Sequence, residues 1–342
     1  MEQVLRGEAT AAQFGAFVLA LRTKGETAVE VEALVRAMLA HARLLDFGPQ
    51  GAPVSLDVVG TGGDGADTVN ISTMTALVCA AAGVTVVKHG NRAASSLTGT
   101  ADVLEQLGVV IDLEPAQVVD SVRSAGIGFC FAQGHHPALR HAGPWRRELG
   151  VPTVFNILGP LTNPGSVSAG LIGSASASLA PVMADVLLRR GVRALVVRGE
   201  DGLDDVSTTA PTRIWDATGT TVRETVLDAV DLGVPRAPLS LLTGGHSSRN
   251  AELLIATLDG SIPDGPDAER VVAIRDVVAV NTAAALAAYA AATAPGEVQR
   301  DDADDLTARV AAHLPTARAI LQEGSAMTVL RRWVEVTQSL RG

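Results

Sequence analysis

The chain has 342 residues, 47% hydrophobic and 19% charged, with 34 glycines, 16 prolines and a formal net charge of −10. That length accommodates one large α/β domain with a smaller lobe, and the mixed composition excludes a fibrous or low-complexity chain. The acidic balance argues against a nucleic-acid or anionic-membrane surface, so an anionic ligand has to be met by a local positive site or a metal.

Met1 is followed at once by Glu2 and Arg6, with no apolar signal core. Thr10 with Gln13 and Thr27 with Glu30 each form a capping box, which predicts two helices with apolar stripes Phe14, Phe17, Val18, Leu21 and Val31, Leu34, Val35, Met38, Leu39. Residues 1–50 thus read as a helical unit, scaffold or subunit interface rather than active site. After the Gly/Pro-rich stretch 48–53 the pattern changes to repeated strand, glycine turn and helix, which predicts a mostly parallel sheet with strands at 54–59, 84–87, 109–111, 127–132, 169–172 and 194–197. Ligands of such sheets bind beyond the carboxyl ends of the strands.

Two loops lie there. Gly60, Thr61, Gly62, Gly63, Asp64 and Gly65 follow the first strand, and Asn70, Ile71, Ser72 and Thr73 open a helix, so backbone N–H groups converge as in a phosphate cradle. The glycines also satisfy G-x-G-x-x-G, but a dinucleotide site wants an acidic residue at the end of the second strand. Here that strand runs into Lys88, His89, Gly90, Asn91, Arg92, Ala93, Ala94, Ser95 and Ser96, whose cations and small residues suit a second phosphate group. Lys88 is one of two lysines in the chain, and a compact ammonium in contact with phosphate is preferred to a solvated loop lysine. The nucleotide-triphosphate spacing G-x-x-x-x-G-K-[ST] is absent.

Cys79 and Cys130 sit in apolar settings without metal-type spacing and read as core thiols of a reducing, cytosolic compartment. His135, His136 and His141 have no carboxylate at ligand spacing, which favours pocket lining over a metal. Arg146 and Arg147 read by default as a solvated helix face; turned inward, one of them offers a planar fork to a carboxylate. Residues 154–164, with Gly159, Pro160 and Pro164, read as a hinge-like crossing between lobes. A turn accounts for Asp201 and Gly202, whereas Asp204 and Asp205 form a hard-oxygen pair suited to Mg²⁺ beside phosphates. The segments 74–87 and 277–294 are apolar but read as core rather than membrane spans, and everything after residue 249 reads as packing helices without chemistry.

These motifs, in this order from about Gly7 to the C-terminal helices, resemble the anthranilate phosphoribosyltransferase family. The resemblance implies an α/β fold: a small helical domain, 1–50 with a returning segment near 135–167, and a large phosphoribosyl-binding domain, 53–134 and 168–342, with a central mostly parallel sheet. It implies a homodimer through the helical domains and transfer of phosphoribosyl from 5-phosphoribosyl 1-pyrophosphate to the amine of anthranilate in the tryptophan pathway. By the same resemblance Gly60, Gly63, Asp64, Thr68, Asn70, Ile71, Ser72 and Thr73 hold the phosphoribosyl donor, and Lys88 to Ser96 and Thr100 cover its phosphates and ribose. Asn91 and Arg146 meet anthranilate, His89 and His136 lie near the aromatic ring, and Ser72, Asp204 and Asp205 hold Mg²⁺. Lys88, Asn91, Arg92 and Arg146 are the expected catalytic set.

Three departures stand out. The family usually has glutamate at position 205 and serine at position 100, and the chain begins inside the first family helix, which touches the expected dimer interface. A pyrimidine nucleoside phosphorylase shares the architecture, but its phosphate loop has a different Lys/Ser/Gly pattern. A non-catalytic nucleic-acid-binding relative is opposed by the retained substrate motifs and the net charge.

Overall fold

The computed structural model describes residues 1–93, 96–294 and 305–341. Ala94 and Ser95, expected over the phosphates, lie outside them. Seven strands form one sheet: β1 (Leu56–Gly60), β2 (Val86–Gly90), β3 (Ile127–Phe131), β4 (Ala169–Gly173), β5 (Arg193–Gly199), β6 (Thr212–Asp216) and β7 (Arg223–Leu227). Their order is β3-β2-β1-β4-β5-β6-β7. The first five are parallel, while β6 and β7 join antiparallel at one edge. The order reverses between β1 and β4, and the first two βα loops open at that switch point.

The helices are built as their sequences dictate. Thr10 and Thr27 accept from Gln13 N and Glu30 N and so cap Ala11–Lys24 and Ala28–Ala40, each with the reciprocal contact that completes the box. Their apolar stripes form one hydrophobic cluster with residues from 142–161 and from the helix Ala180–Arg189 on one side of the sheet. The larger cluster, on the other side, packs Ile71–Ala81 against Ala268–Thr293 and the C-terminal helices.

Ala268–Thr293 is long and apolar enough to cross a membrane by length and composition, but 83% of its most apolar window is buried within the protein. A helix apolar on every side belongs in a core when neighbours cover it. Of its two fully buried polar residues, Asn281 and Thr282, Asn281 bonds both ways to the backbone of Val206: Oδ1 accepts from Val206 N at 2.9 Å and Nδ2 donates to Val206 O at 2.8 Å.

Two sequence expectations need correction, and two strands were missed. Residues 109–111 are not a strand; Val109 and Ile111 are buried, but Val110 N donates to Thr337 Oγ1 of the helix Ser325–Leu340 instead of to a strand. The crossing at 154–164 contains a helix, Phe155–Leu161, because burying Phe155, Ile157, Leu158 and Leu161 outweighs the helix-breaking Pro160. The strands β6 and β7 were not foreseen, since the charged Arg223 and Glu224 on an edge strand mask its alternation.

Candidate active site

A cavity of about 350 Å³ opens at the carboxyl ends of β1 and β2. Among the residues expected at the site, Gly60, Gly63, Asp64, Thr68, Asn70, Ile71, Ser72, His89, Gly90, Asn91, Arg92, Ala93, Ser96, Thr100, His136, Arg146, Asp204 and Asp205 line it. Two described residues do not. Thr73 is fully buried within its helix, and Lys88 is 1% exposed, beneath the cavity floor.

Lys88 is therefore neither a solvated loop residue nor a direct cavity cation. It lies within β2, where its ammonium donates to Val58 O and to Ser72 Oγ at 3.2 Å. Burial lowers its pKa to about 8 against the attraction of Asp57 and Asp205. Asp57 is its buried counter-charge: it accepts from His89 N at 3.1 Å and Asn163 Nδ2 at 2.8 Å, and burial raises its pKa to about 6. The attraction to Asp57 acts through space, with no ion-pair contact between the two, and Lys88→Met also removes the bonds to Val58 O and Ser72 Oγ, so it should cost about 1–3 kcal/mol in a urea melt. Adding Asp57→Asn should recover part of that loss; an unchanged melting curve for Lys88→Met would contradict the pairing.

At the acidic end the chain packs with almost no room to spare. Asp204 accepts from Gly62 N at 2.6 Å, and Asp64 accepts from Ala66 N at 3.2 Å. Gly60 and Gly173 face each other in the register of β1 and β4, and the 204 backbone passes over them. A Cβ on Gly60 would lie 2.2 Å from Asp204 Oδ2, and one on Gly173 would lie 1.6 Å from Asp204 O. The approach turn is fixed by Asp201, which accepts from Leu203 N at 3.2 Å and from Ser207 Oγ at 2.6 Å.

Burial and the charge of Asp64 raise the pKa of Asp204 to about 6, and burial with the charges of Asp204 and Asp64 raises that of Asp205 well above the usual range. Among the described residues, no hydrogen-bond donor reaches the Asp205 carboxylate. These are hard oxygens whose mutual repulsion a cation relieves, so the donor set fits Mg²⁺. No three His, Cys, Asp or Glu side chains converge among the described residues, so the protein provides part of a shell and leaves the rest to water and ligand oxygens.

The basic side of the cavity is partly satisfied in advance. The Arg92 guanidinium bonds Asp102 at 3.1 Å and Glu105 at 3.0 Å and lies 5.6 Å from the centre of the Phe131 ring. Such exposed pairs exchange at little cost, so Arg92 can swing to a phosphate. Asn91 Oδ1 accepts from Arg92 N at 2.8 Å.

The far end is different in character. Arg146, on the helix Gly143–Leu149 that stops at the left-handed Gly150, sits 5.7 Å from the centre of the Phe155 ring and has no hydrogen bond or ion pair among the described residues. Burial lowers its pKa, yet guanidinium stays charged, so a desolvated cation waits there for an anion. Met38, Leu139, Phe155 and Leu158 supply apolar wall. The sequence had placed Met38 only on a core stripe and read 154–164 as a crossing, so these wall residues were missed; nothing in a period-3.6 pattern says which core residue borders a cavity.

Of the three clustered histidines, His136 alone lines the cavity; His135 is tied to Arg43 O at 2.6 Å. His136 and His89 lie 5.2 Å apart between ring centres and bond Thr162 O at 3.0 Å and Gly159 O at 2.9 Å respectively. His136 Nδ1 and His89 Nε2 have no hydrogen-bond partner among the described residues. Burial pushes their pKa values down to about 4 and about 3, so both rings are neutral acceptors. Their imidazole NMR signals should not titrate between about pH 8 and about pH 5; a midpoint near the ordinary value of about 6.5 would show open, solvated rings.

Similarity to known proteins follows the same division. The chain matches the glycosyl transferase family helical bundle domain over residues 1–42 and the glycosyl transferase family a/b domain over residues 52–327. It is 52% identical to the anthranilate phosphoribosyltransferase of Salinispora arenicola over 341 residues, covering 100% of this chain and 91% of that protein. The crystal structure of the Thermus thermophilus anthranilate phosphoribosyltransferase superposes with a TM-score of 0.84 at 38% identity, covering 98% of this chain and 93% of that one. The Saccharomyces cerevisiae enzyme in complex with PRPP and Mg gives a TM-score of 0.83 at 26% identity, over 99% of this chain and 90% of that one. The same yeast enzyme in complex with 4-fluoroanthranilate gives a TM-score of 0.81.

Proposed function

The chain belongs to the anthranilate phosphoribosyltransferases, glycosyl transferase-family enzymes of tryptophan biosynthesis, and from that premise we propose how its cavity divides the work. It moves the phosphoribosyl group of 5-phosphoribosyl 1-pyrophosphate onto the amine of anthranilate. The observation that carries the division is the contrast between the two ends: an acidic, glycine-walled end where no hydrogen-bond donor among the described residues reaches Asp205, and an apolar end holding the unpaired Arg146.

The diphosphorylated sugar goes to the first end, where Gly60, Gly63, Asp64, Thr68 and the 70–72 turn present backbone N–H groups and short polar side chains to its oxygens. Asp204, Asp205 and the Ser72 hydroxyl would hold Mg²⁺, whose positive charge would be available to the pyrophosphate oxygens when it is bound. Asp205 is a methylene shorter than the family's usual glutamate and so reaches less far. Ser96, Thr100 and Arg92 close over the phosphates; Lys88 acts from below, holding the Ser72 hydroxyl. Anthranilate lies between Met38, Phe155 and Leu158 with its carboxylate on Arg146 and its amine toward Asn91.

Bond making is simple. The aniline nitrogen is neutral near pH 7 and needs no strong base; its lone pair forms the bond to C1 of ribose as the C1–O bond to pyrophosphate breaks, and the resulting cationic nitrogen then gives up one proton to water. An oxocarbenium-like transition state is expected by analogy with glycosyl transfer. Catalysis comes from placing two substrates and meeting developing charge with fixed dipoles.

Anthranilate fluorescence tests this directly. Its loss should require both the phosphoribosyl donor and Mg²⁺; loss without Mg²⁺ would mean that Asp204 and Asp205 hold no metal needed for the reaction. The division into a helical domain, residues 1–50 with 135–167, and an α/β domain belongs to the same proposal, as does a homodimer through the helical domain. A monomer by light scattering would remove the latter.

A further inference from the structure

We propose that Asn250, on the helix Ser247–Leu258 outside the cavity lining, is a positioning residue that sets which end of the Asn70 amide faces the phosphoribosyl donor. The inference rests on reading Asn70 as a residue that binds that donor.

The geometry is a relay of two amides. Asn250 is 3% exposed. Its Oδ1 accepts from Gly245 N at 2.7 Å, and its Nδ2 donates to Asn70 Oδ1 at 3.0 Å. A backbone N–H can only donate, so the Gly245 contact fixes the Asn250 amide one way round. Asn250 must then offer N–H to Asn70, and Asn70 must answer with its oxygen. The Asn70 nitrogen is left pointing the other way, with one hydrogen toward Thr98 O at 3.4 Å and one uncommitted beside the cavity.

That orientation matters because the expected ligand is a polyanion. An Asn70 N–H is attractive to a phosphate or ribose oxygen, whereas a flipped amide would turn a carbonyl oxygen toward it.

The turn that leads into this helix, residues 243–245, is tied to both cavity loops. Gly244 N donates to Asp67 O at 2.7 Å, Thr98 Oγ1 donates to Gly245 O at 2.7 Å, and Thr68 pairs with Thr243 in an isolated bridge. Asp67 holds a left-handed φ of 47° and accepts from Leu97 N at 3.0 Å, so the acidic turn, the basic loop and the 243–250 segment meet at one junction. Strain kept at a ligand-facing residue marks a place where the surroundings dictate the backbone. A Cβ on Gly244 would lie 2.5 Å from Asn250 Oδ1, so the backbone there is closed down onto this amide.

The test uses four variants of the full chain: Asn250→Asp, Asn250→Ala, Asn70→Ala and the double variant Asn70→Ala/Asn250→Asp. Asn250→Asp keeps an acceptor for Gly245 N but replaces the N–H that holds Asn70 Oδ1. It should raise both the KM and the calorimetric Kd for 5-phosphoribosyl 1-pyrophosphate about tenfold, the worth of one buried hydrogen bond, with the anthranilate KM changed less than about twofold. In the Asn70→Ala background the same substitution should add less than about twofold, since the group it positions is gone. A general loss of packing would instead move both KM values and multiply with Asn70→Ala. If the buried aspartate does not fold, Asn250→Ala, checked by circular dichroism, carries the same comparison. Unchanged donor affinity in a folded Asn250 variant, or fully multiplicative effects, overturns the inference; an Asn70→Ala enzyme with normal donor affinity overturns the reading beneath it.

Discussion

Replacing Arg146 by alanine should raise the KM for anthranilate on the order of 100-fold and leave the KM for the phosphoribosyl donor within about twofold. The guanidinium is desolvated and has no hydrogen bond or ion pair among the described residues, so the cost of burying it is already met in the folded protein. A substrate carboxylate that arrives there gains two parallel charge-assisted bonds and removes the imbalance. Truncation withdraws that gain and strands the substrate's charge in an apolar chamber walled by Met38, Phe155 and Leu158. Arg146→Lys should restore little, because an ammonium lacks the planar fork and the flat face that lies against Phe155. The decisive measurement is the ratio of the two KM values. If both rise together, Arg146 holds up the cavity rather than the carboxylate.

Gly173→Ala should abolish most activity, by on the order of 100-fold or more in kcat, while costing about 1–3 kcal/mol of stability. The added methyl would sit 1.6 Å from a backbone oxygen, and backbone cannot rotate aside as a side chain does. The 199–205 turn must therefore lift, carrying Asp204 and Asp205 away from Gly62 and Ser72. Overpacking of one methyl is survivable for the fold, since the rest of β4 keeps its pairing with β1 and β5. Displacement of about an ångström would not be survivable for a pair of carboxylates that, on the proposed reading, share a cation with substrate oxygens. Full activity in Gly173→Ala would mean that the acidic turn is not part of the working site. Raised Mg²⁺ demand with partial activity at high Mg²⁺ would agree with the displaced-ligand account.

Much of this was readable in advance, and for identifiable reasons. The turn 60–65 and the helix start at 70–73 announce themselves because anion binding by backbone needs glycines and short polar side chains at set spacing. Thr10, Gln13, Thr27 and Glu30 are equally legible, since a capping box is a local device. Lys88 was legible as unusual but not as buried. Its type and neighbours suggested a phosphate contact, while its depth depends on Asp57, 31 positions earlier, whose carboxylate no local pattern links to it. Residue type and spacing alone did not separate Arg146 from Arg147, because the difference is which side of a seven-residue helix meets Phe155; only the family resemblance named Arg146. Gly173 was hidden for the same kind of reason: its lack of a side chain matters only through a register with Gly60 and a turn some thirty residues later.

Asn281 carries a last consequence. Its carboxamide answers both the N–H and the C=O of Val206, the residue directly after the acidic pair, much as a neighbouring peptide unit would. Among the described residues the C-terminal third of the polypeptide contributes no wall to the chamber, yet through this amide it anchors the segment that bears the carboxylates. A shortened version ending after β7 would retain every strand and lose that anchor. The smallest catalyst that can be carved from this molecule would thus extend well past the last described residue that lines the chamber.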